Sequence, residues 1–452
     1  MSDIQKCEVI KVNILFDNGQ SYEVSSDENE DKAIMEFSNS DSEAMLSGNP
    51  IGVISSNSIT LKIYDSQGRL NINNKNSPFF GYMRNGVEIK VSISSDGVVF
   101  SDYGKYYVSD WQNSISDITG REAEIYALDR LQYVGNEEIP KLPIYSGVSV
   151  GTLVGQVLQG VGLTESEYSI DTSLDTSMLF GVTIGNKVRD FLNQVAQALL
   201  ARVTVGKDNV IKITSALSTS GKTWTLSDSD IYNVTFKHNT SNIYNKVRVN
   251  YSNPGDGSYN QILQLTGITL ETGVNLFQNL GFNNKAIDIQ QVYFETPSGS
   301  DDAAMELDDI SWTAYQGGID VSVTNNSGSQ LTECSLVILG RSIGNITSNE
   351  ISEITGTDTK IANILDIQNE IIQNKDTASK TASNLSKYLS ATNKIITIDC
   401  SLTPIAECGD KLILECGTSE LSGTYKIIEA NTTFGLGVYS RQVSLVTVQE
   451  EV

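Results

Sequence analysis

The segment "ECGDKLILECGTSELSGTYKIIEANTTFG", from Glu407 to Gly435, consists of short apolar runs that turn residues separate. Gly-Asp precedes the first run, Ser-Gly precedes a second run that carries a tyrosine, and Phe-Gly ends the segment. Short apolar runs bounded by glycine predict adjacent strands joined by tight turns. We therefore predict the closing hairpins of a β-barrel here. The residues that we assign to its structural turns are Gly409, Asp410, Gly423, Tyr425, Phe434 and Gly435.

The N-terminal region has the same pattern of strands and turns. "CEVIKVNILFDNGQSYEV" alternates apolar and polar residues around the hairpin turn Asp17-Asn18-Gly19. "NGVEIKVSISSDGVVFSDYGKYYVSDW" adds three strands joined by glycine turns. A compact meander of this kind is typical of a small barrel. We predict a first β-barrel domain over residues 1–117.

The apolar period changes in the second region, residues 118–237. "TLVGQVLQGVGL" and "NKVRDFLNQVAQALLARV" place apolar residues at helical spacing, whereas "ARVTVGKDNVIKITSA" has the pattern of a hairpin. Two amphipathic helices beside hairpins predict a small α/β domain over this region.

The remainder of the chain is again rich in strand patterns. Residues 254–355 are predicted to form a β-rich insertion. Residues 238–253 and 356–452 are predicted to form a second β-barrel domain, with one helix at "KDTASKTASNLSKYLSAT". The predicted fold class is mainly β with a small α/β part: two β-barrel domains joined by the α/β domain, plus the insertion.

The charge of the chain argues against two classes of partner. Its 452 residues include 31 basic and 55 acidic side chains, a formal net charge of −24. A nucleic-acid-binding surface needs basic residues to neutralise phosphates, and docking on an anionic membrane needs them too. The start, "MSDIQKCEVIKVNILF", lacks the pattern of a secretory signal, and no stretch approaches the length of a membrane span. We expect synthesis in a cytoplasm, no specific nucleic-acid binding and no membrane insertion.

The sequence offers little catalytic or metal-binding chemistry. His238 is the single histidine, and no phosphate loop, HExxH or GxSxG motif accompanies it. An acidic cluster lacks the spacing of a calcium loop, so we expect a solvated loop there; its members are Asp301, Asp302, Glu306, Asp308 and Asp309. The odd cysteine count indicates free thiols, most of them buried in strands; these are Cys7, Cys334, Cys400, Cys408 and Cys416. We predict no enzyme activity, no cofactor and no metal.

Aromatic residues crowd the end of the first region and the start of the second. We expect them in the core or at an interface, although carbohydrate-binding modules use such rings as stacking platforms. They are Tyr103, Tyr106, Tyr107, Trp111, Tyr126 and Tyr133.

Several segments together resemble a known family. "NSITLKIYDSQGRLNINNKNSPFFGYMRNGVEIKVSI", "GKYYVSDWQNS" and "EIYALDRLQYV" resemble the start of hub-like tail proteins of bacteriophages with Gram-positive hosts, which are similar to the baseplate hub of contractile tails. "NKVRVNY", Asn245 to Tyr251, looks like the family strand that opens the last barrel. Residues that match the family's closing strands and turns are Pro404, Gly409, Asp410, Gly423, Tyr425, Ile427, Phe434 and Gly435.

This resemblance implies a structural function. Members carry two hub-type barrels per subunit, and three subunits form a ring that joins the tail tube to the central tip. It implies a homotrimer whose partners are a tail tube or distal tail protein and a central spike or tip protein. The location implied is a virion or a phage-tail-like particle, assembled in the host cytoplasm, and an acidic channel would let DNA pass without adhering. The alternative is a tail-tip protein that binds a receptor or a carbohydrate.

Overall fold

The structure is a computed structural model of the 452-residue chain. It describes residues 9–27, 32–42, 54, 56–116, 120–174, 178–180, 186–219, 222–238, 244–254, 259–283, 286–295, 307–342, 345–354, 363–392, 394–417, 421–435 and 438–448. Strands dominate these ranges and four helices accompany them. The predicted fold class, mainly β with a small α/β part, is therefore confirmed.

Seven strands form the N-terminal part of the largest sheet. They are β1 (Val9–Leu15), β2 (Ser21–Ser25), β3 (Lys32–Ser42), β4 (Ser58–Asp65), β5 (Glu88–Ser94), β6 (Ser101–Ser116) and β7 (Gly120–Leu128). In β1, Val12 and Ile14 are buried and the polar residue between them, Asn13, is only half-buried, as the sequence alternation predicts. The strands lie in the order β3-β4-β7-β6-β5-β1-β2. Because β2 also lies against β3, the strands curl around one apolar core.

The α/β part follows. Its elements are α1 (Arg130–Gly135), β8 (Ser146–Ser149), α2 (Val150–Gly160), β9 (Tyr168–Ile170), β10 (Met178–Phe180), α3 (Val188–Leu199), β11 (Ala201–Val205) and β12 (Ile211–Ser215), with short 3₁₀ turns at Glu165–Glu167 and Thr172–Leu174. Ser149 caps α2, since its hydroxyl accepts a hydrogen bond from the backbone N–H of Thr152 (3.2 Å). The apolar faces of α2 and α3 pack in one core with the β11–β12 hairpin. This agrees with the two predicted amphipathic helices.

Six more strands complete the largest sheet. They are β13 (Thr223–Ser227), β14 (Ile231–His238), β24 (Lys394–Cys400), β25 (Lys411–Glu415), β26 (Gly423–Gly435) and β27 (Val438–Thr447), with a 3₁₀ turn at Asp228–Asp230. Their order is β14-β24-β27-β26, while β25 pairs with the start of β26 and β13 runs parallel to β25. The end of β26 pairs with β3, so the two predicted barrel regions are parts of one 13-stranded sheet.

The strand β15 (Lys246–Pro254) lies outside that sheet. It pairs with β22 (Asn345–Glu353) and with β23 (Ile364–Gln368), and the helix α4 (Lys375–Thr392) packs on this small sheet. The expectation that Asn245–Tyr251 opens the last barrel therefore differs from the structure. The physical reason is burial: Val247, Val249 and Tyr251 join the apolar core of the α/β part. The strands β13 and β14 occupy the place that we assigned to β15.

The insertion contains a β-sandwich. Its strands are β16 (Tyr259–Leu270), β17 (Gly273–Gly281), β18 (Ala286–Glu295), β19 (Leu307–Tyr315), β20 (Gly318–Asn325) and β21 (Leu331–Ser342). They form two three-stranded sheets, ordered β16-β21-β18 and β17-β20-β19, which share one apolar core. Within the described ranges, no helix is both long and apolar enough to cross a membrane.

Candidate functional site

The junction between the two barrel regions is built around the strand β26. Its first residues, Gly423–Lys426, pair with β25, and its last residues, Glu429–Gly435, pair with β3. On its other side β26 pairs with β27 along almost its whole length. A single strand thus belongs to both barrel regions, and the predicted residues Gly423, Tyr425, Phe434 and Gly435 all lie in it.

Gly409 and Asp410 form the tight turn that leads into β25. Gly409 has φ = +91°, a conformation that favours glycine, and its N–H donates to the carbonyl of Ile427 (2.7 Å). The Asp410 carboxylate accepts hydrogen bonds from Trp224 Nε1 (2.8 Å) and from the backbone N–H of Glu407 (3.1 Å). Burial raises the pKa of Asp410, and these donors oppose the rise.

The other predicted turn residues occupy strand positions. Gly423 is the first residue of β26, opposite Leu414, and the buried Tyr425 donates its hydroxyl proton to the carbonyl of Leu421 (3.1 Å). Phe434 and Gly435 end the strand and pair with residues of both β27 and β3. Phe434 packs in the core of the N-terminal strands rather than in that of the C-terminal ones. Tyr425 and Phe434 are therefore packing residues, and Gly423 and Gly435 mark the strand's ends.

Sequence reasoning missed a buried polar cluster beside this junction. The Tyr103 hydroxyl donates to Asn39 Oδ1 (2.7 Å), which links β6 to β3. The fully buried Arg441 donates to the carbonyl of Ala406 (2.6 Å) and to the hydroxyl of Thr432. Buried polar groups are stable only when they are hydrogen-bonded, so these contacts fix how the strands meet. The sequence carried one indication of this burial: Arg441 lies on the same face of β27 as the core residues Val443 and Leu445.

The loop between β24 and β25 is attached to the N-terminal strands and to the α/β part. The backbone N–H of Cys408 donates to the Asp41 carboxylate (3.2 Å), and the backbone N–H of Lys207 donates to the Glu407 carboxylate (3.0 Å). Burial raises the pKa of Glu407, and the nearby ammonium groups of Lys207 and Lys212 lower it. The buried Lys426 donates to the carbonyl of Ala216 (2.6 Å) and so ties β26 to the α/β part.

The remaining sequence candidates lie apart from this junction. The backbone of His238 ends β14, opposite Lys394. Asp308 and Asp309 are in β19, whereas Asp301, Asp302 and Glu306 fall outside the described residues. No group of three or more potential metal ligands occurs in the part of the chain that the structure describes.

Most of the described cysteines and half of the six aromatic candidates are buried in apolar cores. Cys334, Cys400 and Cys408 are buried thiols outside any disulfide and Cys416 is half-buried, while Cys7 lies outside the described ranges. Burial raises the pKa of the Cys400 thiol to about 11, which keeps it protonated and unreactive at neutral pH. Among the aromatic candidates, three are buried in the core of the N-terminal strands; these are Tyr103, Tyr106 and Trp111.

Comparisons with known proteins agree on the fold. No family model matches the sequence, and no curated protein matches it. Among solved structures, the tail protein from Neisseria meningitidis MC58 superposes with a TM-score of 0.53 at 8% identity, over 97% of this chain and 96% of that one. The 43 kDa tail protein of prophage MuSo2 from Shewanella oneidensis gives 0.52 at 10% identity, over 97% and 98%. This chain therefore shares a fold with tail proteins along nearly its whole length.

Proposed function

We propose that this chain is a structural hub of a phage tail or a tail-like particle. Three copies form a ring that joins the tail tube to the central tip, and DNA passes through the ring where the particle carries DNA. The observation that carries the proposal is the pairing of β26 with β3, which fuses two barrel regions into one sheet. Two such regions per chain, repeated three times, would give a ring of six similar units to match a sixfold tube.

The likeness to two tail proteins supports the same function. It extends over 97% of this chain in both cases, so it includes the barrel regions, the α/β part and the insertion alike. We propose a division into a first barrel domain (1–117), an α/β domain (118–237), an insertion (254–355) and a second barrel domain (238–253 and 356–452). We amend these bounds in two places: β15, with its partner strand β23 and the helix α4, belongs to the α/β core, and β13 and β14 add residues 223–238 to the second barrel.

The proposal extends to partners, location and charge. The partners would be other copies of this chain, a tail tube or distal tail protein, and a central spike or tip protein. The chain would be assembled in the cytoplasm of a host, which we propose to be Gram-positive, and would act without catalysis. Surplus carboxylates facing the channel would repel passing DNA, because the formal net charge of the chain is −24.

Electron microscopy of tail particles tests this function. The protein would carry a gold label near its C-terminus, and particles would be purified intact. We expect label at the end of the tail tube, with up to three sites at one level. Label confined to side fibres, or absent from purified particles, would contradict the hub and favour the receptor-binding alternative.

A further inference from the structure

A cleft of about 600 Å³ opens where the three main parts of the chain meet. The strands β5 and β6 form one wall, the turn between β11 and β12 forms another, and the loop before β25 forms the third. A cavity of this size accommodates a ligand as large as a short peptide segment. Whatever occupies it would contact the N-terminal strands, the α/β part and the C-terminal strands at once.

The cleft concentrates positive charge in an acidic protein. Five of the described residues that line it are basic, and all five are lysines. They are Lys90, Lys105, Lys207, Lys212 and Lys222. Three carboxylates also line the cleft, so its lysines exceed its acids by two. In a chain with 31 basic and 55 acidic residues, this local balance is opposite in sign to that of the whole molecule.

The ion pairs of Lys90 and Lys105 within the chain are loose. Lys90 and Lys105 share the carboxylate of Glu88, with Nζ–Oε1 distances of 3.6 and 3.9 Å. Their side chains are 45% and 41% exposed. Exposed pairs at such distances contribute little stability, so an incoming carboxylate can compete for these ammonium groups.

Two of the three carboxylates that line the cleft are already engaged in local structure. Asp208 accepts a hydrogen bond from the N–H of Val210 (3.2 Å) and lies 3.1 Å from Lys212 Nζ. Glu407 accepts from the N–H of Lys207 and also faces Lys212, at 3.9 Å. These two acids hold turns together, and Asp102 is the third carboxylate that lines the cleft. Because the lining lysines outnumber the lining carboxylates, an external carboxylate can still pair with Lys90, Lys105 or Lys222.

We propose that this cleft binds a carboxylate-bearing segment of a second copy of the chain. The inference rests on the proposed function, since it assigns an interface within the ring. Copies with a net charge of −24 repel one another, and a ring contact joins two different surfaces of neighbouring copies. A lysine cleft on one copy and acidic side chains on the next supply the complementary charges that such a contact needs.

Nucleic acid is the less favoured occupant. Arginine, whose planar fork matches phosphate, is the residue of choice for nucleic-acid recognition, whereas this cleft presents only lysines among its described residues. The carboxylates of Asp102, Asp208 and Glu407 also line it, and they would repel a uniformly charged backbone. The overall negative charge acts in the same direction.

Sedimentation velocity of the full-length protein tests the charge requirement. We compare wild type, a cleft variant (Lys105→Glu with Lys222→Glu) and a control with the same charge change on other exposed lysines (Lys187→Glu with Lys375→Glu). We expect the cleft variant to weaken self-association at least about tenfold and the control less than about threefold. Raising the salt concentration should weaken wild type more than the cleft variant, because salt screens the contact.

Zero-length carbodiimide coupling of wild type identifies the occupant without any substitution. A mixture of light and isotopically heavy protein distinguishes bonds between copies from bonds within one. We expect Lys90, Lys105 or Lys222 to be joined to aspartate or glutamate of another copy. A short single-stranded oligonucleotide that binds wild type, and binds the cleft variant much more weakly without disturbing assembly, would overturn the proposal in favour of nucleic acid.

The remaining outcomes separate this inference from the proposed function. One outcome would show that the inference is wrong while the hub remains. In that outcome wild type forms a ring, the cleft variant assembles equally well, and coupling occurs only within chains. If wild type is monomeric at every concentration and in purified particles, the ring itself is wrong and the inference fails with it.

Discussion

The guanidinium of Arg202 occupies the space that a side chain at Gly409 would require. A Cβ built on Gly409 would overlap the guanidinium group, and the glycine also has φ = +91°. Arg202 belongs to β11 of the α/β part, whereas Gly409 precedes β25 of the C-terminal strands. The glycine therefore allows two parts of the chain to approach closely, in addition to making a turn.

Gly409→Ala should destabilise the protein by about 3 kcal/mol or more, because it adds both backbone strain and overlap with a buried side chain. Gly19→Ala is the matched control: φ is +81° there, but no atom lies within 4 Å of the added Cβ. Strain alone should cost the control about 1 kcal/mol. Urea unfolding followed by fluorescence measures both, and equal losses for the two variants would contradict the close approach.

Phe434→Ala should cost about 3–5 kcal/mol, since it leaves a cavity in the core of the N-terminal strands. The control is Phe236→Ala, because the ring of Phe236 is 58% exposed and its loss should cost less than about 1 kcal/mol. Chemical denaturation would show the difference. If the two substitutions have the same effect, Phe434 does not join the two barrel regions.

Arg441→Met should destabilise the protein by about 2–4 kcal/mol, because the carbonyl of Ala406 and the hydroxyl of Thr432 lose a buried donor. Arg84→Met removes an exposed ion pair with Asp17 and should cost less than about 1 kcal/mol. Thermal unfolding of both variants provides the comparison. A stable Arg441→Met protein would show that the buried cluster is dispensable.

Asp129 should make stability depend on pH. Burial raises the pKa of its carboxyl from 3.8 to about 7, although backbone donors such as the N–H groups of Asn57 and Leu131 oppose the shift. The folded state therefore holds a proton that the unfolded state has released. Ionising this buried carboxyl lowers the free energy of unfolding. The loss is absent below about pH 4, grows as pH rises towards 7 and is complete above it.

Asp129→Asn removes this titration. Between pH 5 and pH 8, wild type should lose about 2–3 kcal/mol of unfolding free energy relative to the variant. For each protein, the measurement is the change in unfolding free energy between pH 5 and pH 8. Any constant cost of the amide cancels in this difference. Parallel pH profiles for the two proteins would show that the Asp129 carboxyl titrates normally in the folded state.

Local patterns predicted the elements well and their partners less well. The alternation of Val12 and Ile14 with polar neighbours predicted β1, and helical spacing predicted α2 and α3. Local periodicity carries no information on which strands pair, so β15 was assigned to the wrong sheet and the parallel pairing of β13 with β25 was not foreseen.

The candidate site was predictable only in part. The turn at Gly409-Asp410 follows from residue types that favour turns. The role of Phe434 in the other barrel's core depends on the pairing of β26 with β3, which joins residues that are far apart in the sequence. The burial of Arg441 could have been suspected from its phase with Val443 and Leu445, but its partners come from the distant loop and from β26.

The shared strand β26 also has a mechanical consequence. Its backbone hydrogen bonds to β3, from Glu429 to Gly435, lie across the strand direction. A force parallel to the strands loads all of these bonds together in shear. A force perpendicular to the strands would instead break the bonds one at a time. The joint between the two barrels is therefore stiff under tension along β26 and yields first to forces that peel β3 away from it.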